Sequence, residues 1–466
     1  MASLSRQLAQ WVVGLRYEDL PSAVVDRAKG VTLHTLASVL VGSQTRDGGH
    51  AVKLVTDEET GVRNGATIMV SGGKVTKGGA AFANCEMALA GGKYDTFRML
   101  THPNTAIIPG ALVAAETAGA SGKAYLTGLA AGYEVMERMA ADFIPTVMSR
   151  GFHPGPVFSI FGAAVAAAKI LRLSEEQVNS TIALCASLAG SNIEGARSGG
   201  KALREGAAVR NAMLAVALAR EGHVGGETVL EGDAGFYHAY TGNNKGLLSY
   251  SFVGATKTSL DKITAELGKD WMFLETLYRI YSFAGYNLAH IDVTAALCAE
   301  YDIRYENVER VEAVVNWMET QYPSPAFPSR REDGPARPGG TAYYTAYGVV
   351  KRGFPVLRGL GANPTGADVP PEVLELMKRV MIIPSHEMTL FGPRITIFTQ
   401  DGKSYTKQST GREFIWDFDE EARRIRDVIP GVPIPAVQFE SIITTCRDLD
   451  QRDRADALIQ LTLKQG

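Results

Sequence analysis

The residues of this chain best suited to chemistry lie in short loops. One loop holds Asp95, Thr96 and His102 within a few positions, ahead of an apolar segment that starts near Pro109. A second histidine, His153, lies in a Gly-Phe-His-Pro-Gly turn that also precedes an apolar segment. Imidazole titrates near neutral pH, so a histidine beside carboxyl and hydroxyl groups is typical of sites that transfer protons. An ordinary helix-capping loop is the alternative for each.

A third loop supplies positive charge. The Ser-Gly-Gly-Lys sequence at 198–201 leads into a predicted alanine-rich helix from Ala207 to about Glu221, and Arg204 lies just before that helix. A helix N-terminus favours anions, and glycine lets backbone approach a ligand closely. Lys201 and Arg204 therefore predict a carboxylate-binding corner. The alternative is that both cations are simply solvated.

Two further segments contribute phenols and another cation. Arg279 and Tyr281 lie close together in one of them, and Tyr322 follows a predicted strand in the other. Each tyrosine alone is more typical of a core or interface aromatic. Taken together, the five segments alternate imidazole, cation and phenol, a combination suited to binding a di- or tricarboxylate and moving a proton beside it.

In the first half of the chain, the elements that must position these loops are mainly helices. Pro21 opens an amphipathic pattern that ends at Gly42, and Ser174 with Gln177 forms a capping box. Helices rich in Ala and Gly can pack closely, and Ala66–Val70 is the one short extended piece expected among them. These patterns predict an all-α helical domain over 1–256, completed by 411–466.

The pattern changes after about residue 255. Alternating β-branched residues predict a strand at Val308–Asn316, and Asp401-Gly402 predicts a type I′ hairpin turn. Helices are expected at Leu260–Tyr278 and Thr341–Lys351. The fold class is therefore mainly α, with a smaller inserted α+β domain at 257–410.

Composition excludes several classes of function. The 466 residues carry a formal net charge of -3, which argues against nucleic-acid binding. The four cysteines are scattered, which favours buried thiols in a reducing cytoplasm over a metal site. Nucleotide-binding and metal-binding motifs are absent from the sequence, as are a secretory signal and a membrane-spanning run. A cytoplasmic protein with a small-molecule partner is expected.

In this order, the five segments resemble the MmgE/PrpD family, which includes 2-methylcitrate dehydratase, cis-aconitate decarboxylase and iminodisuccinate epimerase. The resemblance runs from Asp26-Arg27-Ala28-Lys29 through Ala131-Gly132-Tyr133-Glu134-Val135 to Tyr322. It implies a large helical domain with a smaller α+β lid, catalysis without metal or organic cofactor, and a homodimer. By motif, it implies site roles for Asp95, Thr96, His102, His153, Lys201 and Tyr322.

The chain also departs from the family pattern. An acidic residue is usual where Gly92 stands, a lysine where Arg279 stands, a histidine where Arg204 stands, and an aspartate where His34 stands. Guanidinium groups bind carboxylates well but stay protonated, so they do not act readily as bases.

The expected function is a lyase, either a dehydratase or a decarboxylase, that transfers a proton beside a carboxylate. One alternative is an epimerase of an amino- or imino-dicarboxylate; another is a homologue that only binds a carboxylate. His102 and His153 are the candidate general acids and bases, and Tyr322 is a candidate acting from the lid. The expected substrate-binding groups are Lys201, Arg204, Arg279, Asp95, Thr96 and Tyr281, with Lys201 also a candidate for proton transfer.

Overall fold

The structure is a computed structural model that describes residues 2–197, 203–327, 337–356 and 369–464. It is mainly α, as predicted. In chain order the helices are α1 (Leu4–Gly14), α2 (Ser22–Gly42), α3 (Arg46–Glu59), α4 (Lys77–Gly91), α5 (Pro103–Ala118), α6 (Gly122–Ala140), α7 (Ile144–Ser149), α8 (Pro154–Ile170), α9 (Glu175–Leu188), α10 (Arg204–Arg220), α11 (Phe236–Thr241), α12 (Tyr286–Glu300), α13 (Thr341–Lys351), α14 (Pro371–Leu376), α15 (Phe418–Ile425), α16 (Ala436–Arg447) and α17 (Ala457–Thr462). The strands are β1 (Ala66–Thr67), β2 (Lys74–Val75), β3 (Tyr94–Thr96), β4 (Leu277–Arg279), β5 (Val308–Asn316), β6 (Val380–Ser385), β7 (Arg394–Thr399) and β8 (Ser404–Gln408).

The chain forms two compact units. The first comprises Met1–Leu247, Lys257–Ile280 and Trp416–Gly466, and the second comprises Leu248–Thr256 and Tyr281–Ile415. Residues 257–280, which the sequence analysis assigned to the inserted domain, thus group with the helical unit. The role of the second unit as a lid stays a prediction.

Small residues let the central helices of the first unit approach each other closely. A Cβ atom added to Gly132 of α6 would lie 2.4 Å from the carbonyl oxygen of Gly162 in α8. No side chain fits at that distance, so glycine is required at this crossing. Cys85, Cys185 and Cys446 are buried free thiols of this unit, and Cys298 is a buried free thiol of the second unit.

The first unit is not entirely helical: β1 lies in the extended piece predicted at Ala66–Val70, whereas the pairing of β3 with β4 is an addition to the predicted helices. Strands β1 and β2 form one short antiparallel pair, and β3 and β4 form another. The second pair joins segments far apart in the sequence. Since β3 and β4 carry Asp95, Thr96 and Arg279, it also assembles several of the predicted site residues.

The predicted helix at Leu260–Tyr278 is wrong. The structure has short 3₁₀ turns at Leu260–Ile263 and Met272–Glu275, followed by β4. The guanidinium of Arg138, on α6, donates hydrogen bonds to four backbone carbonyls of this segment. A helix would use those carbonyls internally, and Gly268 adopts a φ of 80° that also interrupts one.

The second unit contains a four-stranded sheet in the order β6-β5-β7-β8, in which only β5 and β6 run parallel. Strand β5 and helix α13 have the predicted bounds. The hairpin between β7 and β8 is present, but its turn is not type I′. A type I′ turn would need a positive φ at both Asp401 and Gly402, but only Gly402 has one. The Gly402 amide donates to the Thr399 carbonyl, so the central residues of the turn are Gln400 and Asp401. This is the pattern of a type I turn followed by a left-handed glycine.

Candidate active site

Strand pairing brings Arg279 to Tyr94. The two residues are direct partners in the antiparallel β3–β4 register, and the guanidinium carbon lies 4.6 Å from the centroid of the Tyr94 ring. The imidazole of His102 stacks on the same ring at a centroid distance of 4.6 Å. The Tyr94 hydroxyl donates to the Leu89 carbonyl at 2.6 Å. Tyr94 is therefore a buried platform that a cation and an imidazole share.

His102 is oriented by the strand that precedes it. It is the N-cap residue of α5, and its Nδ1 lies 3.0 Å from the Asp95 carbonyl oxygen and 3.4 Å from Thr96 Oγ1. A carbonyl oxygen only accepts, so Nδ1 carries the hydrogen. In the neutral ring Nε2 then has the lone pair, which is the arrangement that a general base needs.

The carboxylate of Asp95 is used within the protein. Its Oδ1 accepts a hydrogen bond from the Asn104 amide at 3.0 Å, and its Oδ2 accepts one from the Tyr133 hydroxyl at 2.7 Å. Burial raises the pKa of Asp95 to about 7, although both hydrogen bonds lower it. These contacts fix β3 to the first turn of α5, which is the turn that His102 caps.

A second group of polar residues surrounds Gly155. His153 is the fully buried N-cap residue of α8. A Cβ atom at Gly155 would lie 2.4 Å from Glu205 Oε1 and 3.2 Å from His153 Cε1. Glu205 is also fully buried, and its Oε2 accepts a hydrogen bond from Ser159 Oγ at 2.7 Å. The glycine thus makes room for a carboxyl group and an imidazole beside the same backbone.

Arg204 is the first residue of α10, which starts three residues earlier than predicted. Its side chain is 7% exposed, and its Nε lies 3.9 Å from Glu205 Oε1. Burial raises the pKa of Glu205, whereas the charge of Arg204 and the Ser159 hydrogen bond lower it. A cavity of about 370 Å³ adjoins Arg204. The residues around it include Pro156, Leu188, Asn192, Leu203 and Asn211.

The N-terminus of α10 already has a carboxylate of the protein. Glu86 Oε1 accepts a hydrogen bond from the Gly206 amide at 3.1 Å, so one amide expected to face a ligand faces Glu86 instead. Burial raises the pKa of Glu86 to about 8. The predicted carboxylate-binding corner therefore depends on its cations rather than on this amide. Residues 198–202, which contain Lys201, lie outside the described residues.

The residues around Tyr94 and the residues around Gly155 affect each other electrostatically. Burial raises the pKa of Tyr94 most; the charges of Arg279 and Arg204 lower it, and that of Glu205 raises it. The structure thus gathers Asp95, Thr96, His102, Arg279, His153 and Arg204 within the first unit.

Tyr281 and Tyr322 belong to the second unit. Tyr281 stacks on Phe283 and Phe354 at centroid distances of 5.3 and 5.4 Å, and Tyr322 meets Tyr286 edge-on at 6.3 Å. These contacts are those of an aromatic cluster, so the roles of Tyr281 and Tyr322 toward a substrate stay predictions.

Sequence reasoning missed four ionisable residues of this region. They are Glu86, Lys93, Glu205 and Glu421, and all are buried. Glu86 and Lys93 lie at either side of the small-residue end of α4. A charged residue in such a run of Ala and Gly is a recognisable signal of a buried charge.

Within the described residues, no cluster of three or more His, Cys, Asp or Glu could hold a metal ion, and no helix has the length and apolar character to cross a bilayer.

The amino-acid sequence is similar to that of known proteins. Residues 6–247 match the MmgE/PrpD N-terminal domain. The chain is 26% identical over 326 residues to the cis-aconitate decarboxylase-like protein oryM of Aspergillus oryzae, covering 66% of this chain and 65% of that protein. It is 26% identical over 287 residues to cis-aconitate decarboxylase of Homo sapiens, covering 58% of each chain. With the Aspergillus terreus cis-aconitate decarboxylase the identity is 24% over 305 residues, or 63% of this chain and 59% of that one.

The matched part thus spans about three-fifths of these relatives, and more than half of the chain matches the family domain. The chain belongs to the MmgE/PrpD family.

Proposed function

We propose that this protein is a cofactor-independent lyase that transfers a proton beside a carboxylate of a small di- or tricarboxylate. The observation that carries the proposal is the meeting of Arg279 and His102 on the ring of Tyr94. One buried ring thus contacts both a candidate anion-binding group and a candidate proton carrier. The names of the relatives, cis-aconitate decarboxylases, support a lyase.

In the proposed reaction the cations bind the substrate. Arg279 holds one carboxylate, and Arg204, at the start of α10, holds another. Lys201 is a further carboxylate-binding candidate by its sequence motif. Charge-assisted contacts from a guanidinium are planar and bidentate, which orients a carboxylate as well as holding it. The same charges stabilise the enolate-like species that forms when a pair of electrons moves toward that carboxylate.

His102 carries the proton. In a dehydration, Nε2 takes the proton from the carbon next to the carboxylate, the electron pair forms the double bond, and the leaving hydroxyl departs as water with a proton from a second acid. In a decarboxylation, His102 starts protonated, the carbon–carbon bond to the leaving CO₂ breaks, its electron pair enters the enolate, and His102 donates its proton to carbon. His153 is the second acid in this scheme, and Tyr322 is a further candidate donor by its sequence motif alone.

Two histidines also suit an epimerase, in which one group removes a proton and another returns it on the opposite face. His102 and His153 lie in two neighbouring groups, which is the observation in favour of this second candidate. A carboxylate-binding protein without activity is the remaining alternative.

The three functions differ in what they do in deuterated water. We propose incubating the full chain with cis-aconitate, citrate, malate or aspartate and following the substrate protons by NMR. New vinylic signals or release of CO₂ support the lyase. Exchange with inversion and no elimination replaces it with the epimerase. A folded protein that gives neither exchange nor turnover overturns both, and calorimetric titration with the same acids then tests for binding alone.

A further inference from the structure

A second cavity, of about 430 Å³, lies beside the later turns of α10. None of the candidate site residues that the structure describes lines it. Its apolar wall consists of Leu171 and four residues of α10, namely Met213, Leu214, Val216 and Ala217. Leu214 is 47% exposed, although it is a large apolar side chain well inside a helix. Ligand pockets have volumes of about 300–1,000 Å³, so a small molecule fits here.

The start of α4 forms the polar end of this cavity. Thr76, the N-cap residue of α4, lines it together with the next two residues, Lys77 and Gly78. Thr76 Oγ1 accepts a hydrogen bond from the Gly79 amide at 3.0 Å. Within the described residues, the amides of Lys77 and Gly78 have no acceptor. A helix N-terminus with free amides favours an anion.

The charges around the cavity are positive. Lys77, Arg210 and Arg220 line it, whereas no described Asp or Glu does. Arg210 is paired with Glu59 at 2.7 Å, and Arg220 lies in the last turn of α10, where a cation balances the helix dipole. Lys77 has no ion pair in the part of the chain that the structure describes. Its charge adds to the positive end of α4, whose first turn contains no acidic residue.

The polar end and the apolar wall lie within reach of one molecule. A Cβ atom added to Gly78 would lie 3.4 Å from Arg210 Cγ, so the first turn of α4 lies against α10. Residues three, four and seven positions apart share one face of a helix. Met213, Leu214 and Ala217 therefore continue along α10 from the point where Arg210 meets α4.

We propose that this cavity binds a small organic anion with an apolar body, a medium-chain carboxylate. Its carboxylate lies at the start of α4, beside Lys77, and its hydrocarbon chain lies on the wall that contains Leu214. Such a ligand binds in addition to the substrate of the proposed lyase. The site does not depend on that reaction, because it shares none of the described candidate site residues.

Methyl NMR of the full chain tests this site with octanoate as the probe. Protein with ¹³C-labelled Met and Leu methyl groups is titrated, and two signals are assigned by their loss in Met213→Leu and Leu214→Ile. We expect saturable shifts of both. The Kd should be about tenfold or more below that of propionate, which has five fewer CH₂ groups to bury. It should be several-fold below that of octanamide, which has no charge.

Each other outcome of the titration contradicts part or all of the proposal. Octanoate that gives no saturable shift overturns the site. Equal affinity for octanamide overturns the binding of an anion, and equal affinity for propionate overturns the role of the apolar wall. Shifts of the same signals that depend only on protein concentration mean that a second copy of the chain covers the wall, and they also overturn the proposal.

Variants separate the charge from the apolar wall. Lys77→Gln should weaken octanoate several-fold and leave octanamide unchanged; Lys53→Gln is its control, since Lys53 is 73% exposed on another helix. Leu214→Ser should weaken both probes, as read from the Met213 signal. Leu54→Ser is the matched control, because Leu54 is 50% exposed and does not line the cavity.

An effect of Lys77→Gln or Leu214→Ser no larger than that of its control overturns the placement of the ligand. The titration needs no turnover, so a protein without lyase activity overturns the proposed function and leaves this test intact.

Discussion

Glu421 and His34 form a fully buried pair, with Glu421 Oε1 2.7 Å from His34 Nδ1. The other ring nitrogen, Nε2, lies 2.9 Å from the carbonyl oxygen of Tyr94. That oxygen only accepts, so Nε2 carries a hydrogen, and the 2.7 Å contact requires a further proton between Nδ1 and the carboxyl oxygen. The pair connects α15 and α2 to the first residue of β3, and thereby positions the strand on which the candidate site is built.

Replacing Glu421 with leucine should therefore destabilise the protein strongly. The change leaves His34 Nδ1 buried without its acceptor, and breaking a buried pair in this way costs about 3–5 kcal/mol. Glu421→Gln keeps a hydrogen-bonding group of the same shape and should cost about 1–2 kcal/mol. Urea unfolding of the two variants measures the difference. Equal stability of both would show that the pair does not hold the strand.

Replacing His102 with asparagine should abolish turnover while keeping the fold. The asparagine amide can still donate to the Asp95 carbonyl, as Nδ1 does, but it has no group in place of Nε2. Loss of a general acid or base lowers kcat by about 10²–10⁴-fold. His223→Asn is the control, because His223 is exposed. Steady-state kinetics and circular dichroism make the comparison; a folded His102→Asn variant of normal activity would remove His102 from the mechanism.

Asp95 should make stability depend on pH. An unfolded aspartate titrates near pH 4, whereas burial raises the pKa of folded Asp95 to about 7. Between these values the folded state binds more protons, so stability is lost as pH rises through the window. Relative to Asp95→Asn, the wild type should lose about 3 kcal/mol of unfolding free energy from pH 4 to pH 7.

Denaturant unfolding at several pH values measures this difference. Asp401→Asn is the control, because hydrogen bonds to Lys403 and Thr399 lower the pKa of Asp401 to about 2. Its contribution is present at high pH and lost as pH falls, which is the opposite slope. A pH-independent difference between wild type and Asp95→Asn would contradict a raised pKa at Asp95.

Adding one methyl group at Gly155 should disturb the second polar group. The new Cβ atom would lie 2.4 Å from Glu205 Oε1, so the carboxyl group or the backbone must move. Overpacking of this kind costs about 1–3 kcal/mol. Gly49→Ala is the matched control, because nothing lies within 4 Å of its added Cβ atom, and in helix α3 it should add about 0.5–1 kcal/mol. Thermal unfolding of both variants checks the opposite signs.

The sequence predicted the features that depend on local patterns. Helix α2 from Ser22, the capping box at Ser174 and strand β5 all follow from spacing or from a single side-chain hydrogen bond. The family was also predictable, because its motifs are short and ordered along the chain. The histidines at helix starts were visible for the same reason.

Long-range contacts account for what sequence reasoning missed. The segment at 260–278 has helix-forming residues, but the buried guanidinium of Arg138 binds its carbonyls from another element. Glu421 has the sequence context of an ordinary surface acid in α15, and only packing against His34 shows that it is buried. Nothing in the sequence indicates that both oxygens of Asp95 accept hydrogen bonds from groups of the protein, and its role toward a substrate stays a prediction.

The pairing of β3 with β4 also sets the order in which this protein can become functional during synthesis. A ribosome releases the N-terminal part first, and domains begin to fold as they emerge. Tyr94 and His102 are available early, but Arg279 cannot reach them until β4 has been made, and Glu421 follows later still. A nascent chain with all of its early helices in place would therefore lack the guanidinium of the site and the acid that secures its strand. The candidate site is therefore complete only after both β4 and α15 have been synthesised.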